Sequence, residues 1–560
     1  MKNVALACIA VCLLSFLNSC SHPKKNSPDG SAVNNIAVIG TGADLETINP
    51  VFAEEVTAGE IGELIFPSLV DADFDTLQGA LRYSPMLARS WEYSPNKRDI
   101  IFHIRAGAKW SDGAPVTSRD VQFSYELYGD KDLGSVRQDE LDGLKKESGG
   151  KLDIRKCVEV INDSTVTFHF ERFSAAQLSE AGLPILPMHI LDTIPRAELR
   201  NSTFNRHPVG DGPFSLAEWK QNDEVVLASN RTSVLPAPAK LAQLVFRILP
   251  DHGSRFEALK SGEIDLMTDL DTREAIELSK SSTTVRVVAT PMRRYQFIGW
   301  NNIDGERYAK SNGAIIVPHP LFGDSVVRKA LTMAIDRKSI VNSLMSEYGR
   351  EAIGPVSPIF RQAYNDSLQP LPFDPAAALS LLKKEGWDDK DNSGILKKGT
   401  AKFSFPLTIP SGSPFTLELA TIIQKQLRDV KINAEIQQVE ESVFWQQVIG
   451  KKFDAFIGGF EVPLRLELAE FWSSDLKKNP FNVVSYRNYR VDRILSETAS
   501  MTGGQASDRL WKEFQTILSS EQPCTFLFWE GNVIGVNKRI SGTRFSILGT
   551  TYHAWEWNVQ

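Results

Sequence analysis

The chain has 560 residues, 42% of them hydrophobic and 23% charged, and a formal net charge of −7. It is too long for one simple core and implies about two to four lobes of ordinary globular composition. A mildly acidic chain without a run of five like charges is a poor match for nucleic-acid binding or for an electrostatic tail.

Lys2 forms a short positive region, and Val4 to Leu17 is an apolar stretch of signal length, too short to cross a bilayer comfortably. It ends in Leu17-Asn18-Ser19-Cys20, which resembles the bacterial lipobox. That resemblance implies removal of residues 1–19 and lipid attachment at Cys20, and loss of Lys2 takes the net charge from −7 to −8. Residues 20–35, with Pro23, Lys24, Lys25, Pro28 and Gly30, read as a polar tether. Cys8 and Cys12 leave with the signal. An oxidising compartment would let Cys157 and Cys524 pair, but two buried free thiols are the simpler reading.

Ile36 to Ile39 is a short apolar strand, followed by Glu46-Thr47-Ile48-Asn49-Pro50 and a helix from about Thr57 with Ile61, Leu64 and Ile65 on one face. Residues 101–105 alternate as a strand, Ser111-Asp112-Gly113 is turn chemistry, and Thr117 stands three residues before Asp120 at capping-box spacing. Val158 to Phe170 reads as a hairpin turning at Asn162-Asp163. His207-Pro-Val-Gly-Asp-Gly-Pro-Phe214 forces a bend. A strand at Leu244–Leu249, a helix at about Ser254–Ser261 closed by Gly262, and a strand at Ile264–Leu266 form a strand–helix–strand unit. A strand at Gln296–Trp300 precedes an amphipathic helix at Val326–Arg337 and a helix opening at Asp374-Pro375. Helix, strand, helix and strand follow at 415–427, 432–439, 443–449 and 453–460. A long helix at about 507–519 and strands at 525–528 and 533–536 close the chain.

The block Leu87–Tyr125 closely resembles the signature of the family 5 extracellular solute-binding proteins, the peptide- and nickel-type receptors of ABC importers. Six further motifs support the resemblance in order. They are Thr47–Pro50, His207–Phe214 (similar to the family's PVGTGPY, with Asp211 in place of Thr), Arg255–Asp265, Asp324–Arg337, Asp374–Trp387 and Asn482–Asp492. The resemblance implies an α/β, periplasmic-binding-protein-like fold (type II, cluster C), with two main lobes around a cleft plus an inserted lobe. The expected division is 36–75, 203–292 and 499–560 for the first lobe, 76–202 for the inserted one and 293–498 for the third. It also implies a monomer at the cell envelope that binds a peptide or other small solute, works with an ABC permease and ATPase, and holds no cofactor. Metal chelates, heme and sugars stay open as ligands, as does a sensor without a transporter.

Ligand residues in such proteins cluster at strand ends facing the cleft. Here these are Glu46, Thr47 and Asn49; Gln296, Trp300 and Asn301; and Phe460, Glu461 and Arg465. Trp300 and Phe460 are either flat walls for a ligand or core aromatics. Peptide-binding members usually carry Gly-Trp and then an Asp that pairs with the peptide's ammonium, a charge that needs a partner once desolvated. This chain reads Gly459-Phe-Glu-Val-Pro-Leu-Arg-Leu-Glu467, so Glu461 or Glu467 would have to substitute, while Arg465 suits an anionic group. Asp389-x-Asp391-x-Ser393-Gly394 resembles half a calcium loop, but Thr400 stands where the bidentate Glu is needed. A turn held by Asx hydrogen bonds is the plainer reading. His-Glu-x-x-His and Gly-x-Ser-x-Gly are absent, so the sequence points to a binding protein with no catalytic or metal residues.

Overall fold

Three principal sheets organise the computed structural model, which describes residues 35–560 apart from 175, 236, 237 and 502. The expected signal peptide, the lipid site Cys20 and nearly all of the tether lie outside the described residues. A seven-stranded sheet runs Val285–Ala289, Val533–Asn537, Leu266–Met267, Ile36–Thr41, Gln243–Ile248, Glu224–Ser229 and Phe214–Lys220. The first apolar strand is parallel to both of its neighbours there, as strand–helix connections require. A six-stranded sheet runs Gly349–Glu351, Cys524–Glu530, Arg294–Trp300, Ala455–Glu461, Ser404–Pro410 and Asn433–Val439. The antiparallel third sheet, of four strands, holds Ala88–Tyr93, Asp99–Ile104, Thr165–His169 and Val158–Asn162. This is the α/β architecture expected for a type II binding-protein fold.

Local chemistry explains the elements. In Asp99–Ile104 the inward residues are Ile100, Phe102 and Ile104, a period of two. Helix Ser118–Gly129 is opened by the Thr117–Asp120 capping box, with Thr117 N donating to Asp120 Oδ2 at 2.7 Å. Gly262, at φ 81°, ends helix His252–Ser261. The predicted continuous helix at 326–337 is instead two. Ser325–Met333 stops, and Asp336 caps Arg337–Ile340 by accepting from Ser339 N at 2.9 Å. The motif residue Arg328 is buried, and its guanidinium donates to the carbonyls of Phe322, Gly323, Glu521 and Gln522. It thus satisfies carbonyls left free where helix Gln505–Glu521 ends.

Two expected boundaries need correction. Residues 499–530 do not join the first sheet. Strand Cys524–Glu530 pairs with Arg294–Trp300 and Gly349–Glu351, and helix Gln505–Glu521 packs Trp511, Phe514 and Leu518 into the core of the six-stranded sheet. Two adjacent apolar runs in sequence look like one unit, but here they enter different sheets. The boundary at 75/76 also falls inside a hairpin, Val70–Asp75 with Ala80–Pro85. Cys157 and Cys524 are buried free thiols.

Candidate ligand-binding groove

The seven- and six-stranded sheets are joined by two short segments, residues 290–293 and 531–532. The segments lie side by side. Thr290 N donates to the Asn532 carbonyl at 2.9 Å, and Asn532 N donates to Thr290 Oγ1 at 2.8 Å. Their crossing forms part of the wall of a cavity of about 610 Å³. Helix Val56–Ile65 contributes Glu60 and Glu63 to it, and Arg293, Arg294, Glu461 and Glu530 line it from the six-stranded side. A second cavity of about 300 Å³ shares Glu60, Glu63 and Leu548 and continues to Tyr83 and Arg137. A third of about 620 Å³ shares Leu81, Tyr83 and Leu464 with the second and reaches Arg465 and Glu467. Through these shared residues the three cavities adjoin, and we refer to them together as the groove; each is within the size range of small-ligand sites.

The two sides also touch away from the crossing segments. Arg273 on the seven-stranded side bonds Glu418 on the six-stranded side at 2.9 Å. Ser279 Oγ and the Tyr348 hydroxyl are 3.2 Å apart. Gly79, at φ 67° in the tip of the 70–85 hairpin, lies so close to the backbone of residues 359–361 that no side chain would fit.

Most charges along the groove are paired. Arg293 bonds Glu461, Arg294 lies 3.3 Å from Glu530, and Arg465 bonds Glu467 at 3.0 Å. Burial raises the carboxyl of Glu530, against the hydrogen bond it accepts from Gln296. Burial likewise pushes Glu180, beside Arg465, up to about 7. Glu60 accepts from Thr550 N at 2.6 Å and Thr550 Oγ1 at 2.8 Å, yet burial still raises its carboxyl.

Among the residues expected to bind ligand, Glu461 and Arg465 line the groove. Gln296 is held behind it, donating to Glu530 Oε1 at 2.8 Å. The others do not line these cavities. Trp300 is fully buried in the core and donates Nε1–H to Thr525 Oγ1 at 3.0 Å. Asn301, also fully buried, donates to the carbonyls of Lys451 and Phe453. Thr47 and Asn49 are buried and fold their own loop. Thr47 Oγ1 accepts from Asn49 N at 3.0 Å, and Asn49 Nδ2 donates to Asn205 Oδ1 at 2.9 Å. Glu46 is exposed, and its N–H reaches Glu55 at 3.3 Å. Phe460 packs among Phe297 and Phe471, with ring centroids 5.5 and 5.0 Å away. Glu60, Glu63, Tyr83, Arg293 and Leu464, none of them expected from the sequence, also line the groove. The first two are legible in the sequence as the polar face of a helix whose apolar face carries Ile61, Leu64 and Ile65. The Asp389 loop is a turn as expected, with Asp389 accepting from Gly394 N and Lys431 Nζ.

The chain is similar in sequence and fold to known proteins. The oligopeptide-binding protein AppA of Bacillus subtilis is 26% identical over 574 residues, covering 99% of each chain. The glutathione-binding protein GsiB of Salmonella typhimurium is 24% identical, covering 90% of this chain and 91% of its own. Among solved structures, Bacillus subtilis AppA in complex with a nonapeptide superposes with a TM-score of 0.71 at 25% identity, over 94% of this chain and 99% of the other. Campylobacter jejuni NikZ in complex with Ni(L-His) shares the fold, with a TM-score of 0.72 at 23% identity over 94% and 99% of the two chains. The family described as "Bacterial extracellular solute-binding proteins, family 5 Middle" matches residues 82–462. The chain therefore belongs to the family 5 bacterial extracellular solute-binding proteins, which bind solutes and are not enzymes.

Proposed function

We propose that this protein is the lipid-anchored receptor of an ABC importer, and that it binds oligopeptides in the groove and hands them to a permease. The observation that carries this reading is the groove itself. Its first cavity lies where the chain crosses between the two sheets in two short segments, an arrangement suited to hinge closure around a ligand. The length of the groove, through three adjoining cavities, suits an extended chain better than a compact ion. Relatives named for oligopeptide and glutathione binding support a peptidic ligand. The Leu17–Cys20 segment supports the anchor.

Native mass spectrometry of the purified protein tests the ligand class. Peptide masses released on denaturation are the expected result, and a co-purifying sugar, heme or metal chelate would reject it. Labelling with a fatty-acid analogue tests the anchor. Incorporation should be lost in Cys20→Ser.

A further inference from the structure

Helix Val56–Ile65 turns Ala58, Ile61, Gly62, Leu64 and Ile65 inward. Glu60 and Glu63, three residues apart on one face, are left facing the groove, and both line the same two cavities. Glu60 is held by Thr550. Glu63 is exposed to the water of the groove. The charges it feels are Arg137 and the like charges Glu60, Glu140 and Asp71. Arg137 is already engaged, lying 3.3 Å from Glu140 Oε1 and 3.3 Å from the Pro50 carbonyl. His553 Nε2 is taken by Asp71 at 3.0 Å, and Arg293 and Arg294 by Glu461 and Glu530.

The cations around this part of the groove are therefore spoken for, while two adjoining carboxylates have none of their own. A carboxylate set among like charges is stabilised by an opposite charge brought to it. The cavity of about 300 Å³ beside Glu63 is mixed in character, with Tyr83, Met86, Leu464 and Trp555 on its walls together with the charged Asp71, Arg137 and Glu140. It has room for an alkyl chain behind a charged head, far more than a bare metal ion needs.

We infer that the groove selects solutes carrying an organic cation, a primary ammonium or a guanidinium on an alkyl chain, seated against Glu63 with Glu60 beside it. This rests on reading the groove as the ligand site. If the ligand is a peptide, the inference makes it one with a basic side chain at this position.

Isothermal titration calorimetry of the full chain tests it with three probes: Ala-Lys-Ala capped at both ends, the same peptide with norleucine for lysine, and agmatine. The expected result is a preference of roughly tenfold or more for lysine over norleucine. Glu63→Gln should abolish that preference and weaken agmatine equally, with thermal stability kept. Equal binding of the two peptides, or a preference that survives in Glu63→Gln, overturns the inference. Failure of all three probes to bind overturns it as well. If agmatine binds and is lost in Glu63→Gln while neither peptide binds, the cation site stands and the peptide reading falls.

Discussion

Thr290 and Asn532 hold the two sheets together at their crossing, backbone to backbone at 2.9 Å and hydroxyl to backbone at 2.8 Å. Gly531 sits beside them, where an added Cβ would overlap the Thr290 carbonyl oxygen. The segments approach so closely because this position has no side chain. Gly531→Ala must push them apart, and overpacking of this kind costs about 1–3 kcal/mol. The variant should melt lower, and small-angle scattering should show a weaker ligand-induced compaction than in the wild type. Unchanged compaction would remove the crossing from any role in closure.

Asp211 is the residue where the family-like PVGTGPY element has Thr. It is 3% exposed, and neither carboxylate oxygen has a hydrogen-bond partner among the described residues. Burial raises its carboxyl well above the usual range, and Asp120 nearby adds to the effect. The native state therefore holds a proton that the unfolded chain releases above its ordinary value near 4. Stability contributed by the protonated form is present at low pH and declines as pH rises toward the native value. At neutral pH, Asp211→Thr should stabilise the protein, by about 1–3 kcal/mol if one unsatisfied polar group is relieved. Thermal melts of both proteins at acid and neutral pH check this, with the gain largest at neutral pH.

The fold was legible wherever a rule acts over a few residues. The Thr117 box, the Gly262 stop and the alternation around Phe102 needed only local chemistry. The site was less so, because a groove joins residues far apart in the chain. Trp300 stands at a strand end, where a ligand residue is expected, but it shares its side of the strand with Ile298, and both are buried in the same core. Counting by twos from Ile298 would have placed it there. Glu60 and Glu63 were readable as a polar helix face, but nothing local says that this face looks onto a groove rather than onto bulk water.

Arg465 lines the far cavity and is bonded to Glu467 at 3.0 Å, with Glu180 also close enough to feel its charge. If it receives an anionic group, Arg465→Ala should weaken a peptide with a free C-terminal carboxylate roughly tenfold and leave its C-terminal amide little changed. Calorimetry with the two peptides separates the cases. An equal loss for both would mean that Arg465 shapes the groove and does not recognise a carboxylate.

Lys451 is 1% exposed, and its ammonium donates to the carbonyls of Pro480 at 2.6 Å and Asn482 at 2.8 Å. Burial without a paired carboxylate pushes it down to about 7. The unfolded chain keeps this proton to near 10. Between about pH 7 and pH 10 the unfolded state thus binds more protons than the native state at this residue, and its contribution to stability rises with pH across that window. Lys451→Met should flatten the rise. It should also lower stability at neutral pH by about 1–3 kcal/mol, because two buried carbonyls lose their donor. Urea titrations of both proteins across the window test both effects. A wild-type slope that persists in Lys451→Met would assign the pH dependence to another group.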